Sequence, residues 1–185
     1  NYSLYKYGGE ISISIFGIIN RVMMFALFPI MGITQGFLPI AGYNYGAKKY
    51  DRVKETIQKA IVYGCAIAGF IYVMILLFAK EIISVFSTDA TLLAETPRAM
   101  LLVFLASPII AIQLIGSAYF QAAGKALPAL FLTLLKQGVF LIPLAYILPM
   151  YYGVDGVWYS FAIGDVLATI ITYVVVKREI KKNLH

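Results

Sequence analysis

Residues 32–54 read GITQGFLPIAGYNYGAKKYDRVK. An apolar run passes directly into a basic one. Gln35 and Asn44 sit among glycines and a proline, and Lys48, Lys49, Arg52 and Lys54 follow within a few residues. An apolar helix that ends in a knot of lysine and arginine has the pattern of a membrane span at its cytoplasmic end. The composition of the chain agrees. Of its 185 residues, 61% are hydrophobic and 13% charged, with a mean hydropathy of +0.84. A soluble domain carries about a quarter charged residues. There are too few charges here to cover a water-facing surface, so the solvent is the lipid bilayer.

Five apolar segments are long enough to cross it. They run over about 11–45, 56–79, 97–123, 126–150 and 154–176, separated by short polar connections. If the chain alternates sides, Lys48, Lys49, Arg52, Lys54, Lys59, Lys125, Lys177, Arg178, Lys181 and Lys182 fall on one side. The other side holds Lys6, Lys80 and Arg98. Ten against three places the N-terminal end outside and the C-terminus in the cytoplasm. The net charge of +6 is thereby assigned to topology and asks for no nucleic acid. An outside N-terminal end, with Asn1 as the first residue, is expected to follow at least one upstream span.

The first segment is too long for a straight span. Its ~35 residues would rise about 50 Å, against a hydrocarbon core of about 30 Å. Pro29 and Pro39 each remove a backbone donor, and Gly32, Gly36 and Gly42 loosen the helix between and beyond them. The segment either tilts and projects into the cytoplasm or breaks; a bend at these residues is expected, with the amides serving the freed backbone groups.

Three ionisable residues lie near mid-membrane. Arg21, Lys136 and Asp165 each sit about ten residues, or about 15 Å, from an end of their spans. The fourth and fifth spans are neighbours across a short connection, so Lys136 and Asp165 can pair. Such a pair either locks two helices together or lets Asp165 exchange a cation or proton while Lys136 or Arg21 tunes it. Asn20 and Gln35 lie on the first span. Gln113, Ser117 and Gln121 recur every four residues as one polar stripe on the third, with Tyr119 to its side. The stripe either bonds a neighbouring helix or lines a wet cavity. Met23, Met24, Met31 and Met100 are either an adaptable apolar wall or ordinary core and lipid-facing residues.

Other chemistry has little support. Cys65 is the one cysteine and reads as a small buried hydrophobe, and His185 is the one histidine. The sequence carries no Gly-x-Gly-x-x-Gly, Gly-x-Ser-x-Gly, Walker or His-Glu-x-x-His pattern. An enzyme is not expected, and any transport would be driven by a gradient.

Residues 32–54 resemble the helix end and basic loop of the multidrug and toxic compound extrusion (MATE) family. Three further stretches resemble that family in the same order: AYFQAAGKALPAL (118–130), KQGVFLIPLAYILP (136–149) and GVDGVWYSFAIGDVLA (153–168). The resemblance implies an all-α integral membrane fold of twelve helices in two six-helix lobes. Residues 1–185 would be five transmembrane helices of the C-terminal lobe, and the N-terminal lobe would be missing. It implies a bacterial inner-membrane antiporter that exports bulky, often cationic organic compounds and drugs in exchange for Na+ or H+, with no other cofactor. The third span has Ile110 and Gln113 where the family can carry an acid, so the main coupling acid is expected in the missing part. Asn20, Arg21, Gln35, Gln113, Ser117, Tyr119, Lys136 and Asp165 are the candidate cavity-lining residues. A lipid-linked oligosaccharide flippase would need a more basic cavity. A non-transporting scaffold would pair all its mid-membrane charges and have no wet cavity.

Overall fold

The computed structural model describes residues 2–183; Asn1, Leu184 and the one histidine, His185, lie outside the described residues. The described chain is helical throughout and makes five passes. They are α1 (Tyr2–Gly46), α2 (Tyr50–Ser84), α3 with α4 (Ala90–Phe104 and Ile110–Ala122), α5 with α6 (Ala126–Leu134 and Ile142–Tyr152), and α7 (Val154–Asn183). All five passes are long and apolar enough to cross a membrane. Large apolar side chains such as Phe70, Leu77, Leu127 and Ile170 stand exposed around the bundle. In water that surface would be a liability; in lipid it is the expected exterior of a multi-pass membrane protein.

α1 runs as one helical pass across both of its prolines. Its backbone stays helical through Pro29 and Pro39, and the non-helical residue inside it is Gly9 (φ 66°, ψ −165°). The Ser12 hydroxyl donates to the Gly8 carbonyl beside that break. Helical structure also reaches back to Tyr2, because Leu4 is buried against the bundle. Asn44 does not reach the carbonyl that Pro39 leaves free, that of Gln35. Its amide donates to Ile40 O, and its own carbonyl accepts from Lys49 N–H. The second of these bonds closes a helix C-cap with Lys48 in the left-handed region (φ 57°). Gly124 (φ 72°) ends α4 in the same way, with Lys125 N–H donating to Phe120 O.

The third and fourth passes are broken near mid-depth. Pro108 cannot donate a backbone hydrogen bond, and a short 3-10 turn (Ser107–Ile109) joins α3 to α4. In the fourth pass a π-type turn (Leu135–Leu141) joins α5 to α6 just ahead of Pro143. Neither break was expected from hydropathy, although both prolines were in plain view.

Small residues let the helices approach closely. A Cβ on Gly64 would sit 2.7 Å from Ala111 Cβ, and one on Gly116 would sit 2.4 Å from Thr172 Cγ2. α4 is therefore wedged between α2 and α7. Two apolar clusters fill the bundle ends. Ile19, Ile83, Met100 and Trp158 centre one, and Phe37, Val53, Ile115, Tyr119 and Phe120 centre the other. Cys65 is half-buried beside a small middle cluster of Ile30, Ala68, Ile110 and Ala111, so it is less enclosed than expected.

The α1–α2 turn, the α4–α5 turn and the C-terminal end of α7 meet at one end of the bundle. Lys125 and Glu179 form an ion pair there, and that hydrogen bond is the main cause holding the Lys125 ammonium above its usual pKa. Tyr45 packs on both Tyr50 and Tyr119. Residues 48–59 and 177–182 thus share one end. Arg98 pairs with Asp155 at 2.6 Å at the other.

Candidate functional site

Lys136 lies in the π-type turn of the fourth pass, and Asp165 lies on the buried stripe of α7. Their side chains meet at 2.7 Å, Nζ to Oδ1, and both are largely buried. The contact is a charge-assisted pair in which the Lys136 ammonium is the side-chain partner of Asp165 Oδ1. Two ions out of water cost several kcal/mol each unless paired. Their attraction adds to the close packing of Phe140 and Leu141 beside Gly164, which seats the widened turn on α7.

The ion pair separates two spaces. One is a small pocket of about 30 Å³, lined by apolar side chains from α1, α2, α3, α4 and α7 together with Ser107, Lys136 and Asp165. The Ser107 hydroxyl is buried there without a partner. The other is a groove of about 390 Å³ between α1, α4 and the α5–π segment. Its polar lining comes from Thr34, Gln35, Gln113, Ser117, Gln121, Thr133, Lys136 and Gln137. Lys136 borders both spaces.

The stripe on α4 divides between a helix contact and the groove. Ser117 Oγ shares a 2.8 Å hydrogen bond with Thr133 Oγ1 and reaches Ala129 O at 3.2 Å, tying α4 to α5. Gln113 and Gln121 line the groove beside it. Gln113 is only 5% exposed and its Oε1 has no partner. A buried amide oxygen left open is costly, and a polar groove is where water or a ligand would satisfy it.

The remaining candidates lie elsewhere. Asn20 and Arg21 stand on the exposed face of α1, outside the groove. Among the described residues Arg21 makes no ion pair; Asp165 is held by Lys136 alone. Tyr119 is buried in the apolar cluster at the basic end. Met24 and Met31 share the exposed face of α1 with Phe28, while Met100 is core and Met23 packs against it. Sequence reasoning did not single out Ser107, Thr34, Thr133 or Gln137. Pro108 and the Lys136-Gln137-Gly138 run were the available signals. Among the described residues no group of three or more His, Cys, Asp or Glu side chains comes together.

The MatE family model matches residues 1–147. The chain belongs to the MatE family. The multidrug export protein MepA of Staphylococcus aureus (strain N315) is 29% identical to this MatE chain over 171 residues, covering 91% of it and 37% of MepA. A solved outward-facing multidrug resistance MATE family transporter of the MOP superfamily superposes with a TM-score of 0.92 at 24% identity, over 97% of this chain and 41% of that one. At that identity the likeness speaks for the fold. The solved MATE multidrug transporter DinF-BH is 37% identical with a TM-score of 0.83, over 96% of this chain and 40% of its own. This MatE chain spans well under half the length of the relatives it matches.

Proposed function

We propose that the protein carrying this chain is a secondary active antiporter that exports bulky, often cationic organic compounds in exchange for Na+ or H+. The chain contributes five spans of one lobe. The observation that carries this reading is the polar groove at mid-depth, bordered by a pass that breaks at a π-type turn and lined by six uncharged polar side chains besides Lys136 and Ser117. Irregular backbone at membrane depth is tolerated where it is packed in protein or borders water, and transporters bind substrate and ion at such places. The exposed face of α1 extends that surface with Asn20, Arg21, Met24, Phe28 and Met31. An arginine with no ion pair among the described residues argues for a wet or protein-covered face there rather than lipid.

The rivals fit less well. A flippase for diphosphate-linked sugars would want several free cations, and the groove has one, already paired with Asp165. A scaffold has no use for a groove of about 390 Å³. The placing of the basic end supports an inside C-terminus. The test is ethidium accumulation in an efflux-deficient strain expressing the full-length gene. Accumulation should fall with energised membranes and recover when the Na+ and pH gradients are collapsed together. Accumulation that never changes would overturn the reading.

A further inference from the structure

We propose that Asp165 is a proton-exchanging carboxyl, and that Lys136 is the movable counter-charge linking its protonation to the groove. Its use in transport rests on the exporter reading; its existence does not. Three observations converge on it. Asp165 is buried with a single side-chain partner, the Lys136 ammonium at 2.7 Å from Oδ1. A cavity of about 30 Å³ lies against the carboxylate, with the Ser107 hydroxyl unpartnered in it. Lys136 borders both this cavity and the open groove, so water in the groove has a route to the pair.

The charges around the site make the exchange specific. The helices facing the cavity present apolar side chains, among them Leu27 from α1, Ala68 from α2, Phe104 from α3 and Ile110 from α4. Asp165 and Lys136 are the two ionisable groups in the lining. A hard metal cation asks for several oxygen ligands. The cavity offers one carboxylate and one hydroxyl beside an ammonium that would repel a metal ion. A proton needs neither the ligands nor the space.

A proton from groove water adds to a carboxylate oxygen of Asp165. The carboxyl becomes neutral, Lys136 stays an ammonium, and the site passes from net zero to one positive charge. The ammonium has then lost its counter-ion. Gln113 Oε1, buried and unpartnered, lines the same groove as Lys136 and is one of the acceptors in that lining. Releasing Lys136 also removes one of the ties between the π-type turn and α7, which couples the proton to the geometry of the fourth pass.

The test is infrared difference spectroscopy of the purified full-length protein between about pH 5 and about pH 9. A protonated-carboxyl band is expected to appear on acidification and to be absent in Asp165→Asn. If that variant does not fold, the neutral amide pair Lys136→Gln with Asp165→Asn replaces it and should likewise lack the band. A wild-type protein with no band lost in either variant overturns the proposal. In proteoliposomes, pH-gradient-driven ethidium accumulation should fall by about tenfold or more in the folded variant, while ethidium self-exchange is kept. Full gradient-driven accumulation in that variant also overturns the coupling role. A band that titrates in a protein that moves no ethidium supports the proton site and removes the exporter reading instead.

Discussion

Lys136 Nζ lies 2.7 Å from Asp165 Oδ1, and this contact joins the widened turn of the fourth pass to the middle of α7. Removing one partner strands the other charge away from water. Asp165→Leu or Lys136→Met alone should destabilise the protein by about 3–5 kcal/mol, whereas the double variant should recover most of that loss. Thermal unfolding of the full-length protein in detergent gives the cycle. Additive losses in the double variant would show that the two residues do not act as a pair.

The α6–α7 connection depends on Gly156. A Cβ there would lie 2.5 Å from the backbone carbonyl of Leu148 and 2.6 Å from Pro149 N, and backbone cannot step aside. Gly156→Ala should cost about 1–3 kcal/mol or more. Gly17 has no heavy atom within 4 Å of its missing Cβ, so Gly17→Ala should be neutral or stabilise by about 0.5–1 kcal/mol. The two melting temperatures should move in opposite senses or differ clearly in size.

The α2–α3 turn should respond to acid. Asp89 caps α3, accepting from Thr91 N–H at 2.8 Å and Leu92 N–H at 3.1 Å. The Leu92 bond, then that of Thr91, holds its carboxyl below the ordinary 3.8. A depressed carboxylate contributes stability above its unfolded value and loses it as pH falls through its folded one. Order in the first turn of α3 should therefore fade below about pH 4 in the native protein. Asp89→Ser should keep the cap without that acid response, and Asp89→Ala should lose it at all pH values. Amide shifts of Thr91 and Leu92 report both.

Water should reach the groove and stop at the lipid-facing surface. In a Cys65→Ala background, Gln35→Cys and Gln121→Cys should react with a charged thiosulfonate, since both line the groove and are exposed. Leu77→Cys, equally open but on the apolar exterior, and Ile115→Cys, fully buried, should react about 100-fold more slowly. Equal rates at positions 35 and 77 would contradict a wet groove beside a lipid-facing surface.

Much of the fold was legible because lipid imposes a one-dimensional rule. A span must be long and apolar, and its basic flanks mark its ends. That rule located the passes and brought residues 48–59 together with 177–182. It also placed Lys136 and Asp165 at one depth on neighbouring spans, which suffices to suggest their pairing. The same rule is blind to rotation about a helix axis. Asn20, Arg21, Gln35 and Gln113 look alike as polar residues in apolar spans, yet Gln35 and Gln113 reach the groove and Asn20 and Arg21 do not.

Hydropathy is also blind to hydrogen-bond bookkeeping. α1 carries Pro29 and Pro39 on its exposed side with helical backbone at both, and its non-helical residue is Gly9. Pro108 and Pro143 stand at the interruptions that border the site. Which proline breaks a helix depends on what neighbours can do for the freed carbonyls, and that is known only once the helices are packed.

By itself the sequence determined the solvent, the five passes, the shared end of the basic residues and the pairing partner available to Asp165. These follow from sums along the chain, and transfer free energy into lipid is such a sum. Only the tertiary structure decided that Lys136 borders both a small pocket and a larger groove, that Ser107 and Gln113 are left without partners, and that Arg21 is not among the charges at Asp165. Those facts depend on the rotation and close approach of helices distant in sequence, permitted by Gly64 and Gly116, where a single methyl group would have kept the helices apart.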